Sequence, residues 1–147
     1  MKFYEDFVVG DDTVGEETYV VTEAEVCEVG ERWDPQPFHV DPVAAAQSPF
    51  GGLVASSVHL FAIRVALSNR GMGEPVAAVS ALGFDALRLH APARPGDELR
   101  VRVLVLDRRV SSSRPELGIV RTRSELRNQR DELVFSDQSA FLVRRRP

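Results

Sequence analysis

The residues best suited to reaction chemistry fall in one short stretch, Trp33-Asp34-Pro35-Gln36-Pro37-Phe38-His39-Val40-Asp41. An acid, Asp34, and an imidazole, His39, stand five positions apart in a loop stiffened by Pro35 and Pro37. Proline fixes φ and reduces the freedom of the chain, so such a loop can hold two side chains at a set separation. A carboxylate paired with histidine suits the orientation and deprotonation of water, because imidazole titrates near neutral pH. A plainer reading makes Asp34 a turn residue and His39 a partly buried aromatic, and composition alone favours it.

Other candidates are weaker. His39 and Asp41, with His59 or Asp34 as further ligands, are candidates for a metal, but no His-Glu-x-x-His or comparable spacing supports a metal site. Ser56-Ser57-Val58-His59 places serines near a base, yet Gly52-Leu53-Val54-Ala55-Ser56-Ser57 is not a Gly-x-Ser-x-Gly elbow. Ser56 reads more simply as the cap of a helix, whose free amides can hold an oxyanion without any nucleophile. Cys27, the single cysteine, reads as a small buried apolar residue. His90 has no partner motif, and Arg144-Arg145-Arg146 reads as a solvated end.

The elements that must position these residues follow from periodicity and punctuation. Thr18–Val21 reads as a short strand, and Thr22-Glu23-Ala24-Glu25 as a capping box opening a helix to about Trp33. Four prolines and two glycines between Asp34 and Gly52 exclude a long element there, leaving room for a short helix over Pro42–Gln47. Ser56–Arg70 reads as a helix with an apolar stripe at Val58, Phe61, Ala62, Val65 and Ala66. Leu60, Ile63 and Leu67 lie off that stripe and are apolar too, so the helix reads as buried on most sides. Beyond Pro75 the period changes to two. Strands are expected at Ala77–Leu89, Leu99–Leu106, Gly118–Arg127 and Glu132–Val143. Turns at Arg94–Asp97 and Asn128–Asp131 separate the later ones. Consecutive strands after a buried helix argue for an α+β fold, a curved antiparallel sheet wrapped around that helix.

Composition bounds the function classes. The 147 residues fit one domain, 1–147, with enough chain to fold without disulfides. The net charge of −4, with basic residues spread along the chain, weighs against nucleic-acid binding. No apolar run approaches the ~20 residues of a membrane span. The N-terminal residues show no apolar signal core, so a cytoplasmic location is expected.

Asp34-Pro35-Gln36-Pro37-Phe38-His39 resembles the active-site pattern Asp-x-Asn-Pro-x-His of the MaoC-like dehydratase family, which includes the (R)-specific enoyl-CoA hydratases. Gln36 stands where that family often has asparagine. Phe50-Gly51-Gly52-Leu53-Val54-Ala55-Ser56 is similar to the family segment that leads into the central helix. Arg94-Pro95-Gly96-Asp97 and, more weakly, Asn128-Gln129 extend the likeness over nearly the whole chain.

The resemblance implies a hotdog subunit that associates as a homodimer or higher homo-oligomer. It implies reversible addition of water across the α,β double bond of an acyl-CoA thioester, or of its acyl-carrier-protein counterpart, within fatty-acid metabolism. Asp34 and His39 would hold and activate the water, His39 taking the proton and Asp34 serving the α-carbon side. The amide of Ser57, in a segment with Ser56 and Gly52, would hold the thioester oxyanion. The family usually has glycine where Ser57 aligns, and the serine side chain would take up room beside the thioester. No metal or redox cofactor is implied, and coenzyme A enters only as part of the substrate. A hotdog thioesterase is the second enzyme reading. Such enzymes commonly carry a carboxylate on the central helix, and Ser56–Arg70 contains none. A non-catalytic acyl-CoA-binding partner subunit is the third.

Overall fold

A computed structural model describes residues 1–147. Strand β1 (Asp12–Val20) leads into helix α1 (Glu23–Trp33), whose cap is the predicted one: the Thr22 hydroxyl accepts from the Glu25 amide at 3.3 Å. Pro37 and Pro42 then open two short helices, α2 (Pro37–Val40) and α3 (Pro42–Ala46). A missing amide hydrogen costs nothing at that position. The sequence reading gives α3 and treats α2 as loop, because four residues carry no periodicity. Helix α4 (Ser57–Arg70) is capped by Ser56, which accepts from the His59 amide at 3.3 Å.

The remaining strands, β2 (Ala78–Leu89), β3 (Glu98–Val110), β4 (Leu117–Arg127) and β5 (Leu133–Arg144), match the period-two segments. They join β1 in one antiparallel sheet of order β1-β3-β4-β5-β2. The sheet packs around α4 through a core that includes Leu60, Ile63, Leu67, Leu99, Leu126 and Phe135. This is the α+β hotdog architecture.

Two expectations are corrected. Strand β1 begins at Asp12, not Thr18, and most of its side chains are exposed, so no alternation marks it. Its pairing shifts register between Val14 and Thr18, where the Glu16 amide donates to the Gly71 carbonyl at 2.9 Å and ties the strand to the end of α4. The second correction concerns which side of α4 is covered. The sheet buries Leu60, Ile63 and Leu67, whereas Val58 and Ala62 of the expected stripe are exposed. Leu60, Ile63 and Leu67 enter the core that the sheet encloses, while Phe61 of the stripe packs at its margin.

The two polar residues between Val58 and Leu67, His59 and Arg64, are both buried. Arg64 Nε and Nη2 each lie 3.0 Å from Asp137 Oδ1 on β5, and Nη2 also donates to Ser139 Oγ at 3.1 Å. Burial pushes the Asp137 carboxyl up and the Arg64 guanidinium down, and their mutual attraction opposes both shifts. Asp137 is fully buried and its Oδ2 has no partner, so the pair fixes the helix against the sheet at a desolvation cost.

His59 Nε2 sits 3.3 Å from the Tyr19 hydroxyl on β1 and 3.5 Å from Glu25 Oε1 on α1. Its Nδ1 is buried without a partner. Burial holds the imidazole below the usual histidine range, with Glu25 offsetting only part of the effect.

Both features yield measurable expectations. Asp137→Ala leaves the Arg64 charge buried and unpaired, and should cost about 3–5 kcal/mol in urea unfolding. Arg64→Met combined with Asp137→Leu should recover most of that loss, because it removes both charges. For His59, the unfolded chain binds the proton more readily than the folded one. Stability should therefore be full above the unfolded pKa of ~6.5 and fall as pH drops from there to the lower folded value. Thermal melts across this range should show a shallower decline for His59→Gln than for the parent.

Candidate active site

The site is built where α1 and α2 meet. Gly30, inside α1, has no side chain to keep them apart: a Cβ there would lie 2.9 Å from the His39 carbonyl oxygen and 3.0 Å from His39 Cβ. This close approach brings α2 against the end of α1, where Asp34 forms the C-cap with its amide donating to the Gly30 carbonyl at 2.9 Å. Pro35 prevents α1 from continuing. The Gln36 amide then donates to the Asp34 carbonyl at 2.8 Å and the His39 amide to the Gln36 carbonyl at 2.9 Å. The chain thus turns back, leaving His39 Nε2 3.5 Å from Asp34 Oδ2. The two sequence candidates are neighbours in space.

The hydrogen bond on the far side of the ring decides what His39 can do. Its Nδ1 lies 2.6 Å from the Val54 carbonyl oxygen. A carbonyl can only accept, so Nδ1 carries the hydrogen, and in the neutral ring Nε2 is left with a lone pair. His39 is only 7 % exposed, whereas the Asp34 side chain is 31 % exposed. Asp34 Oδ2 and neutral His39 Nε2 are then two acceptors facing each other. A water placed between them can donate one hydrogen to each.

Both side chains line a cleft of ≈ 500 Å³. Phe38, Phe50, Val54 and Leu60 line it, as does the run Leu89-His90-Ala91-Pro92. Ser57 lines it as well. As the first residue of α4 it has an amide with no partner within the chain, so a partial positive charge is directed out of the helix start. Its φ is not positive, so the backbone here makes no demand that only glycine meets.

Ser56 and Gly52 are not brought to the cleft. Ser56 is 1 % exposed and spends its hydroxyl capping α4, while Gly52 sits beside the Arg94 side chain. Asp41, considered as a metal ligand, caps α3 by accepting from the Val43 and Ala44 amides. His59 is turned to Tyr19 and Glu25, not to His39. The residue that sequence reasoning missed is His90. It follows β2 with no motif around it, continues the pairing of that strand with β5 and lines the cleft.

The family model described as MaoC like domain matches residues 6–127. The crystal structure of a MaoC-like dehydratase from Rhodospirillum rubrum superposes with a TM-score of 0.92 at 38% identity, covering 100% of this chain and 99% of that one. The uncharacterized protein YdeM of Bacillus subtilis is 28% identical over 127 residues, 85% of this chain and 87% of YdeM. A mesaconyl-CoA hydratase of Haloarcula hispanica is 40% identical over 68 residues, 45% of this chain but only 19% of that enzyme.

Proposed function

Because the chain belongs to the family of MaoC-like domains, we propose that it is a hydratase/dehydratase acting on the α,β double bond of an acyl-CoA thioester, with (R)-enoyl-CoA hydratase specificity. The observation that carries this reading is the pair of facing acceptors, Asp34 Oδ2 and His39 Nε2, 3.5 Å apart at the cleft wall.

The chemistry follows from the substrate. Conjugation to the thioester carbonyl makes the β-carbon electrophilic, and charge accumulates on the carbonyl oxygen as a nucleophile adds. A water held between Asp34 and His39 forms its O–Cβ bond while one proton passes to His39 Nε2. The alkene electron pair moves to the thioester oxygen, where the Ser57 amide at the start of α4 offers a donor. The proton then returns through Asp34 to the α-carbon, giving the 3-hydroxyacyl thioester. Dehydration is the same path reversed.

The working protein in this proposal is a homodimer or larger homo-oligomer. Val58 and Ala62 on α4 and Leu82, Phe84 and Leu89 on the edge strand β2 are exposed in the single chain, and a second copy would cover such apolar surface.

The test is hydration of crotonyl-CoA and longer enoyl-CoAs, followed as loss of conjugated absorbance. Asp34→Asn and His39→Ala should each lower the rate at least 10²-fold, the scale of a lost general acid–base group. Release of free thiol without hydration would replace this reading with a thioesterase. Binding of acyl-CoA with neither reaction would leave a non-catalytic acyl-CoA-binding partner subunit.

A further inference from the structure

The run Leu89-His90-Ala91-Pro92 lines the cleft, and its one polar side chain is His90, exposed to solvent in the single chain. His90 is anchored there twice: its amide donates to the Val134 carbonyl at 2.8 Å, and its Nε2 lies 2.7 Å from Ser136 Oγ on β5. Ser136 is 1 % exposed, and His90 is the sole partner of its hydroxyl within the chain. A buried hydroxyl has one hydrogen to place and two lone pairs to spare. An unplaced donor costs the full desolvation of that group, so the Ser136 hydrogen belongs on His90 Nε2. The other ring nitrogen, Nδ1, then carries a hydrogen. Were the ring protonated, Ser136 would accept instead and Nδ1 would still donate. In both states His90 offers an N–H donor, and Nδ1 has no acceptor within the chain.

The hydration chemistry does not use this donor. Asp34 and His39 handle the water, and the Ser57 amide handles the thioester oxygen. An N–H in this otherwise apolar run discriminates against a plain hydrocarbon, because a hydrocarbon would strip it of solvent and give no acceptor in return. The run instead rewards a ligand with a further oxygen.

Resting on the hydratase reading for the identity of the ligand, we propose that His90 is a specificity-determining residue that accepts acyl groups bearing an additional acceptor oxygen, a carboxylate above all. The site is then tuned to polar acyl thioesters over plain alkanoyl ones. The amide oxygens of the pantetheine arm offer similar chemistry, so the experiment must separate the two sources.

The ligands are glutaryl-CoA, pentanoyl-CoA and free coenzyme A, with binding measured by calorimetry on the full chain. Glutaryl and pentanoyl have the same carbon count and differ in the terminal carboxylate, and neither can be hydrated. The parent protein should bind glutaryl-CoA more tightly than pentanoyl-CoA by about tenfold or more, the scale of a hydrogen bond to a charged group. His90→Leu should abolish that preference and leave free coenzyme A binding unchanged. Because His90→Leu leaves Ser136 unpartnered, the double variant His90→Leu/Ser136→Ala serves as a second test and should give the same loss. A parent preference for pentanoyl-CoA, or a preference that survives both variants, would overturn the proposal. An equal loss for all three ligands would also overturn it, placing the contact on the pantetheine arm. Hydration of crotonyl-CoA and of glutaconyl-CoA, the enoyl thioester with a terminal carboxylate, is assayed in parallel: if both are absent while the glutaryl preference behaves as described, the hydratase reading fails and the His90 assignment stands.

Discussion

The hydrogen bond from His39 Nδ1 to the Val54 carbonyl, 2.6 Å long, sets the terms for the whole site. A backbone carbonyl accepts and never donates, so this contact fixes the tautomer and leaves Nε2 open toward Asp34. The segment that supplies the carbonyl is itself held on both sides. The Val54 amide donates to the Phe38 carbonyl at 3.1 Å, and the Ala55 amide to the Ala93 carbonyl at 2.9 Å. Two residues further along the chain comes Ser57 and the free amide at the start of α4. The acceptor pair and the free Ser57 amide are therefore placed by one short run of backbone, locked between α2 and the turn before β3. Gly30 lets α2 lie close enough to α1 for this to work.

The second determinant is the distribution of polarity on α4. A helix enclosed by a curved sheet would ordinarily turn its polar residues outward. Here His59 and Arg64 face the fold, toward Tyr19, Glu25 and Asp137, while Val58 and Ala62 face out. Buried polar pairs contribute little net stability, but they penalise any packing that separates the partners. They fix the rotation of α4 about its axis, and with it the direction of the Ser57 amide. The apolar side left uncovered, together with the edge of β2, fits a chain that completes its packing by association.

Much of this could be read from the residues themselves. The capping box at Thr22, the Ser56 cap and the four strands after Pro75 rest on local hydrogen bonding and alternation, which sequence displays directly. Asp34 and His39 stood out because two prolines constrained the loop between them. What sequence hid was what depends on partners distant along the chain. The first half of β1 is mostly exposed and shows no pattern. The stripe of α4 was ambiguous because two overlapping faces were apolar, and only the shape of the sheet decides which is covered. His90 is tied to Val134 and Ser136 of β5, more than 40 positions away, by contacts that no local pattern announces. Ser56 and Gly52 share a motif-like segment with Ser57, yet the helix cap consumes one and the loop carries the other away from the cleft.

The claim on which the account turns is that neutral His39 is held with hydrogen on Nδ1 and a lone pair on Nε2. Nitrogen-15 NMR of the imidazole, in protein labelled at histidine and assigned with His39→Gln, reads this directly. At a pH where the ring is neutral, Nδ1 should resonate as a protonated, pyrrole-like nitrogen and Nε2 as a bare, pyridine-like one. A protonated Nε2 in the neutral ring would contradict the account, because His39 could not then accept a proton from water held beside Asp34.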